Sequence, residues 1–238
     1  MWDNIFYFIM VPMVYLSFAV FLAGILFKGV IILSSEKYSP SMAVYPVKGR
    51  GPAGAIGESF LVPSAFRKSR LFWFFIIAFH AAFLLLIIGH LELIRDFSII
   101  QVIPHDVFLG SGFVGIVLIV STVYFLFRRF HTPFREISVA EDYVLLLLLF
   151  TTMIFGSHMN LAATWGIAGF DIPVEDYRTY LWSMVLFSPE LPKGITYSPH
   201  YVILALHIFF ANIFLMLFPF SKMIHSVFIF FAQNIKRK

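Results

Sequence analysis

Five stretches of this 238-residue chain stay apolar for long enough to cross a lipid bilayer, and no other feature constrains the fold as much. A hydrocarbon core about 30 Å thick takes roughly 20 helical residues, and inside it every backbone amide must be satisfied within the segment. The stretches run over residues 5–33, 71–94, 107–127, 143–163 and 201–231. Sixty per cent of the residues are hydrophobic and only 13% are charged, against about 45–50% and about 25% in soluble domains. The expected fold is an all-α integral membrane protein, a bundle of five transmembrane helices forming a single domain over 1–238. The longest polar stretches, of about 35 residues, are too short for a separate soluble domain. Pro12 and Lys28 interrupt the first segment, and Pro219 is expected to kink the last. The N-terminus has neither the basic region nor the small-residue cleavage site of a signal peptide, so the first segment is expected to be retained.

The connections alternate in charge. Lys37, Lys48, Arg50, Arg67, Lys68 and Arg70 lie between the first two segments, Arg128, Arg129 and Arg135 between the third and fourth, and the tail ends Lys236-Arg237-Lys238. The second-to-third connection has Arg95 against Asp96 and Asp106. The fourth-to-fifth has Arg178 and Lys193 against Asp171, Glu175, Asp176 and Glu190. Basic connections stay in the cytoplasm, which puts the N-terminus outside, the C-terminus inside and the protein in the cytoplasmic membrane.

Two of these apolar segments each carry two histidines: His80 and His90 in the second, His207 and His225 in the fifth. An imidazole in hydrocarbon loses its hydration and marks a functional site unless packing satisfies it. A lone intramembrane histidine is often a hydrogen-bonded packing residue, whereas a two-plus-two pattern on antiparallel helices is the arrangement that holds two stacked b haems. The topology places His80 and His225 toward the cytoplasm and His90 and His207 toward the outside, so only the crossed pairing, His80 with His225 and His90 with His207, matches partners in depth. The spacing agrees imperfectly. Eighteen residues puts His207 and His225 on one helix face about 27 Å apart, while ten residues puts His80 and His90 about 15 Å apart and about 80° out of line. The chain has no cysteine, so it holds no iron–sulfur cluster by thiolates and attaches no haem covalently.

The other histidines lie at the margins. His131 is in the basic turn after the third segment, His105 and His200 stand at helix starts, and His158 is near the end of the fourth segment. His105 and His158, with the carboxylates Glu92, Asp96 and Asp106, are candidates for proton release at a quinone site, since a near-neutral imidazole and a carboxylate suit that task. Trp2, Trp73, Trp165 and Trp182 fall where an interfacial belt is expected.

Several runs carry a resemblance. Phe79-His80 followed by His90, and His207 followed by FPFSKMIH over 218–225, together with the Arg128-Arg129-Phe130 turn and Asp142 opening the fourth helix, resemble the membrane cytochrome b of the respiratory nitrate reductase gamma-subunit superfamily. The resemblance covers nearly the whole chain. It implies that His80 and His225 ligate the iron of an inner b haem and His90 and His207 that of an outer one, and that quinol is oxidised near the outer haem. It further implies electron transfer to a cytoplasmic iron–sulfur subunit, which makes the chain the electron-transfer subunit of a quinol-linked oxidoreductase.

The long first connection, with ESFLVPSAFRK over 58–68, is more similar to the branch serving sulfite-reduction-associated (Dsr-type) complexes and membrane-bound heterodisulfide reductases. That branch implies a role in sulfur metabolism, a heterodisulfide-reductase-like iron–sulfur partner, further membrane and outward-facing subunits, and menaquinone as substrate. The alternative is the gamma subunit of a nitrate reductase itself. No lysine lies between Lys68 and Lys193 to match the one associated with the quinol site in nitrate reductases. A proton or ion transporter would need carboxylates at the membrane centre and paired inverted halves, and a non-redox anchor would leave the four histidines without a purpose. No nucleic-acid partner is expected.

Overall fold

The computed structural model describes residues 2–34, 57, 59–95, 112–167 and 172–229. Five helical stretches are long and apolar enough to cross a membrane: Asp3–Ser34, Arg70–Ile94, Phe113–Phe130, Ala140–Thr164 and Tyr201–Phe220. The described residues contain helix and no strand. In chain order the helices are α1 (Trp2–Met10), α2 (Pro12–Ser34), α3 (Pro63–Lys68), α4 (Arg70–Ile94), α5 (Phe113–Phe130), α6 (Phe134–Ile137), α7 (Ala140–Thr164), α8 (Val174–Val185), α9 (Lys193–Thr196) and α10 (Tyr201–Leu217). The chain divides into two compact units, Met1–Leu16 with Ala78–Phe214, and Ser17–Ile77 with Leu215–Lys238.

In the first unit, the opening span is broken where the sequence places proline. Pro12 has no N–H to give to the preceding turn, and the chain makes a single turn residue at Val11 between α1 and α2. Neighbouring segments donate to the carbonyls beside the break. The Tyr180 hydroxyl donates to Met10 O at 2.5 Å and the Asn212 amide to Ile9 O at 3.4 Å, which is how freed backbone groups are satisfied where water is absent. Tyr15 O–H donates in the other direction, to Met184 O at 3.1 Å. A small core closes around these bonds, formed by Met10, Val11, Tyr180, Met184, Ile195 and Leu204.

The segment 174–196 is thus a folded platform against the N-terminal helix rather than a plain connection. Pro173 before the first turn and Glu175 and Asp176 within it are start signals for α8. Replacing Tyr180 by phenylalanine leaves the fully buried Met10 carbonyl without that donor and is expected to destabilise the protein by about 1–3 kcal/mol, readable as a lower thermal midpoint in detergent. Burial pushes the Tyr177 hydroxyl from its ordinary 10.0 up to about 12, and pushes Tyr180 up as well. Both are neutral in either state below pH 10. Above it the unfolded tyrosines ionise first, so stability falls between about pH 10 and 12, and phenylalanine at Tyr177 should flatten that decline.

Helices α5 and α7 pack closely in the same unit. Gly115 stands against Ser157, and Thr122 Oγ1 donates to Leu118 O at 2.8 Å and lies 3.5 Å from Met153 Sδ. Small residues let the two backbones approach. At one end of this pair, Asp142 is buried and its carboxylate takes Arg129 Nη1 at 3.0 Å and the Val139 N–H at 3.1 Å. Arg129 Nη1 also reaches Ser138 Oγ at 3.1 Å, and Tyr143 O–H donates to Arg129 O at 2.9 Å. The Asp142 seen at a helix start in the sequence therefore acts as a cap and an ion-pair partner at once.

In the second unit, Trp73 Nε1 donates to Leu61 O at 2.7 Å and its ring meets Phe66 edge-on. Gly24 makes room for Pro219, where a Cβ would come within 2.6 Å of the proline Cβ. The last span departs from expectation. Instead of one kinked helix from 201 to 231, α10 ends at Leu217, two 3₁₀ turns follow at Phe218–Phe220 and Lys222–Ile224, and helix resumes over 225–229; residues 230 and 231 fall outside the described residues. Pro219 removes the donor, and the Ser221 hydroxyl accepts the Met223 N–H at 3.1 Å, capping the turn that restarts the chain. The face shared by His207 and His225 assumed an unbroken α-helix, and the two tighter turns remove its basis.

Candidate functional site

Four residues before His90 on α4 is Leu86, whose carbonyl lies 2.8 Å from His90 Nδ1. On α10, His207 Nδ1 lies 2.9 Å from the carbonyl of Thr152, a residue of α7. A carbonyl oxygen only accepts, so in both rings Nδ1 carries the proton and Nε2 keeps its lone pair. The centres of the two rings lie 6.3 Å apart and their planes are 26° from parallel. A metal–imidazole bond is about 2.0–2.1 Å long and the ring centre lies about 1 Å behind the nitrogen, so two imidazoles on opposite sides of one metal ion have centres about 6 Å apart. The observed separation matches that arrangement, and the tautomers leave the ligating nitrogen available on both rings.

Gly156 completes the setting. A Cβ there would lie 2.9 Å from His207 Cε1 and 3.2 Å from its Nδ1, so only glycine leaves the imidazole in place beside α7. Neither Thr152 nor Gly156 stood out in the sequence. Thr152 contributes a main-chain oxygen, which no side chain signals, and the one available hint was a glycine inside a long apolar helix.

The other expected site residues are placed as follows. His80 is exposed on α4 in the same unit, beside Phe79, whose ring meets Phe125 edge-on at 5.7 Å. His225 belongs to the second unit, where its Nδ1 lies 2.8 Å from Lys222 O and therefore carries the proton, as in His90 and His207. Glu92 is buried at 2% exposure on α4, and His158 is exposed on α7. His105, Asp96 and Asp106 lie outside the described residues. Among the described residues no group of three or more histidine, cysteine or acidic side chains could hold a metal ion. A b haem would need only two histidines from the chain, and His90 and His207, whose rings lie 6.3 Å apart, are the residues that would hold it.

The five spans make this a multi-pass membrane protein. The chain belongs to the nitrate reductase gamma subunit family, whose model matches residues 62–237, a stretch that includes all four candidate histidines. The family is one of membrane electron-transfer subunits of the cytochrome b type, working within oxidoreductase complexes. Among curated proteins, none matches the chain.

Proposed function

We propose that this chain is a dihaem cytochrome b of the cytoplasmic membrane that exchanges electrons between a quinone pool, menaquinone by preference, and a cytoplasmic iron–sulfur subunit. The observation that carries the reading is the close pair His90 and His207, each with Nδ1 on a main-chain carbonyl and Nε2 left to ligate. His90 and His207 would hold the outer b haem and His80 and His225 the inner one, with the N-terminus outside. Haem supplies one-electron transfer when bound. The chain's own part is to hold each ring in the ligating tautomer, to raise its basicity through the hydrogen bond on the opposite nitrogen, and to keep water away. The Leu86 and Thr152 carbonyls hold the tautomer for the outer pair, and the Lys222 carbonyl holds it for His225. Quinol would be oxidised on the His90 side, with its protons leaving outward. With no cysteine in the chain, the clusters that continue the path belong to another subunit.

The connection that includes ESFLVPSAFRK favours a Dsr-type or heterodisulfide-reductase-like complex with a role in sulfur metabolism. The family match favours the second reading, the gamma subunit of a nitrate reductase. The complex purified from native membranes through a tag on this chain, reduced with a menaquinol analogue, tests both. Reduction of a b-type α band by quinol, abolished by His90→Ala, supports the electron-transfer reading, and its absence in haem-loaded protein contradicts it. Reoxidation on adding nitrate then selects the nitrate reductase reading, and no reoxidation by nitrate selects the other.

A further inference from the structure

The connections at one end of the spans are poor in basic residues: from Arg95 to the start of α5, and from the end of α7 to the start of α10, they hold only Arg95, Arg178 and Lys193. Arg95 and Arg178 line one open cavity of about 500 Å³ together with Ile94, Thr179 and Trp182. Arg178 and Trp182 are one turn apart on α8, and the Arg95 guanidinium lies over the Trp182 ring, 5.5 Å from its centre. Trp182 thus holds the Arg95 guanidinium at the cavity that Arg178 also lines. Arg178 also pairs with Glu175 at 3.2 Å, but Glu175 is largely exposed, and so weak a surface pair yields readily to a stronger anion.

We propose that this cavity binds the phosphate of an anionic phospholipid. Two guanidinium forks match the paired oxygens of a phosphodiester, and the volume leaves room for a glycerol headgroup. The level is right. Arg95 follows directly on a 25-residue span about 37 Å long, whose ends therefore reach the headgroup region, and tryptophan beside arginine is the pairing expected there. A free phosphate would explain the arginines but not what lies below them: Ile87 and Leu91, one turn apart and 44% and 42% exposed, continue the helix face that ends at Arg95 and offer an acyl chain a track. The site is independent of haem.

Native mass spectrometry of the full-length protein in a zwitterionic detergent tests the assignment. Titrated with phosphatidylglycerol or phosphatidylcholine, the wild type is expected to retain one phosphatidylglycerol preferentially. Combined Arg95→Gln and Arg178→Gln should weaken that binding about 30-fold, while Lys193→Gln leaves it unchanged. Four results would overturn the assignment: equal retention of the two lipids, retention unchanged in the double variant, displacement by millimolar glycerol 3-phosphate, or a double variant that keeps the lipid but raises KM for quinol. The lipid preference is read on the unmodified protein, so a variant that fails to fold does not remove the test.

Discussion

Alanine at His90 and alanine at His207 are expected to remove the same haem. Each single variant should drop from two b haems per chain to one, and the doubly substituted H90A–H207A protein should still hold one, because losing either ligand empties a single site. His80 and His225 should behave as a second such pair. Combinations across the pairs, H90A–H225A or H80A–H207A, should hold none. This non-additivity within a pair and additivity between pairs is the signature of shared sites. It tests the crossed pairing directly, since a pairing of His80 with His207 would reverse the pattern. The 6.3 Å separation of the His90 and His207 rings makes the outer pair the stronger expectation. The measurement is a pyridine haemochrome count on each purified variant, with helix content checked by circular dichroism.

Alanine at Gly156 is expected to do much of the same damage without touching a ligand. The added Cβ would lie 2.9 Å from His207 Cε1, and the imidazole cannot retreat freely because its Nδ1–H is held by Thr152 O on the same helix, one turn away. The ring must rotate off that carbonyl or the two helices must part. Either change loosens the group that fixes the tautomer and aim of the ligand, for which affinity losses of about 10- to 100-fold are usual. The expected result is a faster loss of one haem to a scavenging globin while the other stays. Unchanged haem release would mean that Gly156 serves helix packing alone.

How far the sequence could be read depends on what kind of residue carries each feature. The spans were legible because the bilayer sets a length that Arg70–Ile94 and Ala140–Thr164 must meet whatever their neighbours are. His90 and His207 could be singled out because each is an imidazole inside an apolar span, and their rings lie 6.3 Å apart. The platform 174–196 was not. Its apolar residues Tyr180, Met184 and Ile195 are too few to mark a core, and they become one only when Met10 and Val11 arrive from the far end of the chain. The break at 218–224 was foreseen as a bend at Pro219, but the Ser221 hydroxyl, which turns a bend into a restart, competes for the backbone in a way hydropathy does not show. The parts of the candidate site that escaped notice are a carbonyl and a missing Cβ, at Thr152 and Gly156. The proton on Nδ1, and with it the free Nε2, follows from the main chain.

The most direct measurement is the haem content of the full-length protein purified in detergent, from a pyridine haemochrome assay and a dithionite-reduced minus oxidised spectrum. Two b haems per chain, with the spectrum of low-spin bis-histidine iron, is the predicted result. A correctly folded protein that takes up no haem, in cells supplied with its precursor, would contradict the account and return His80, His90, His207 and His225 to roles in helix packing.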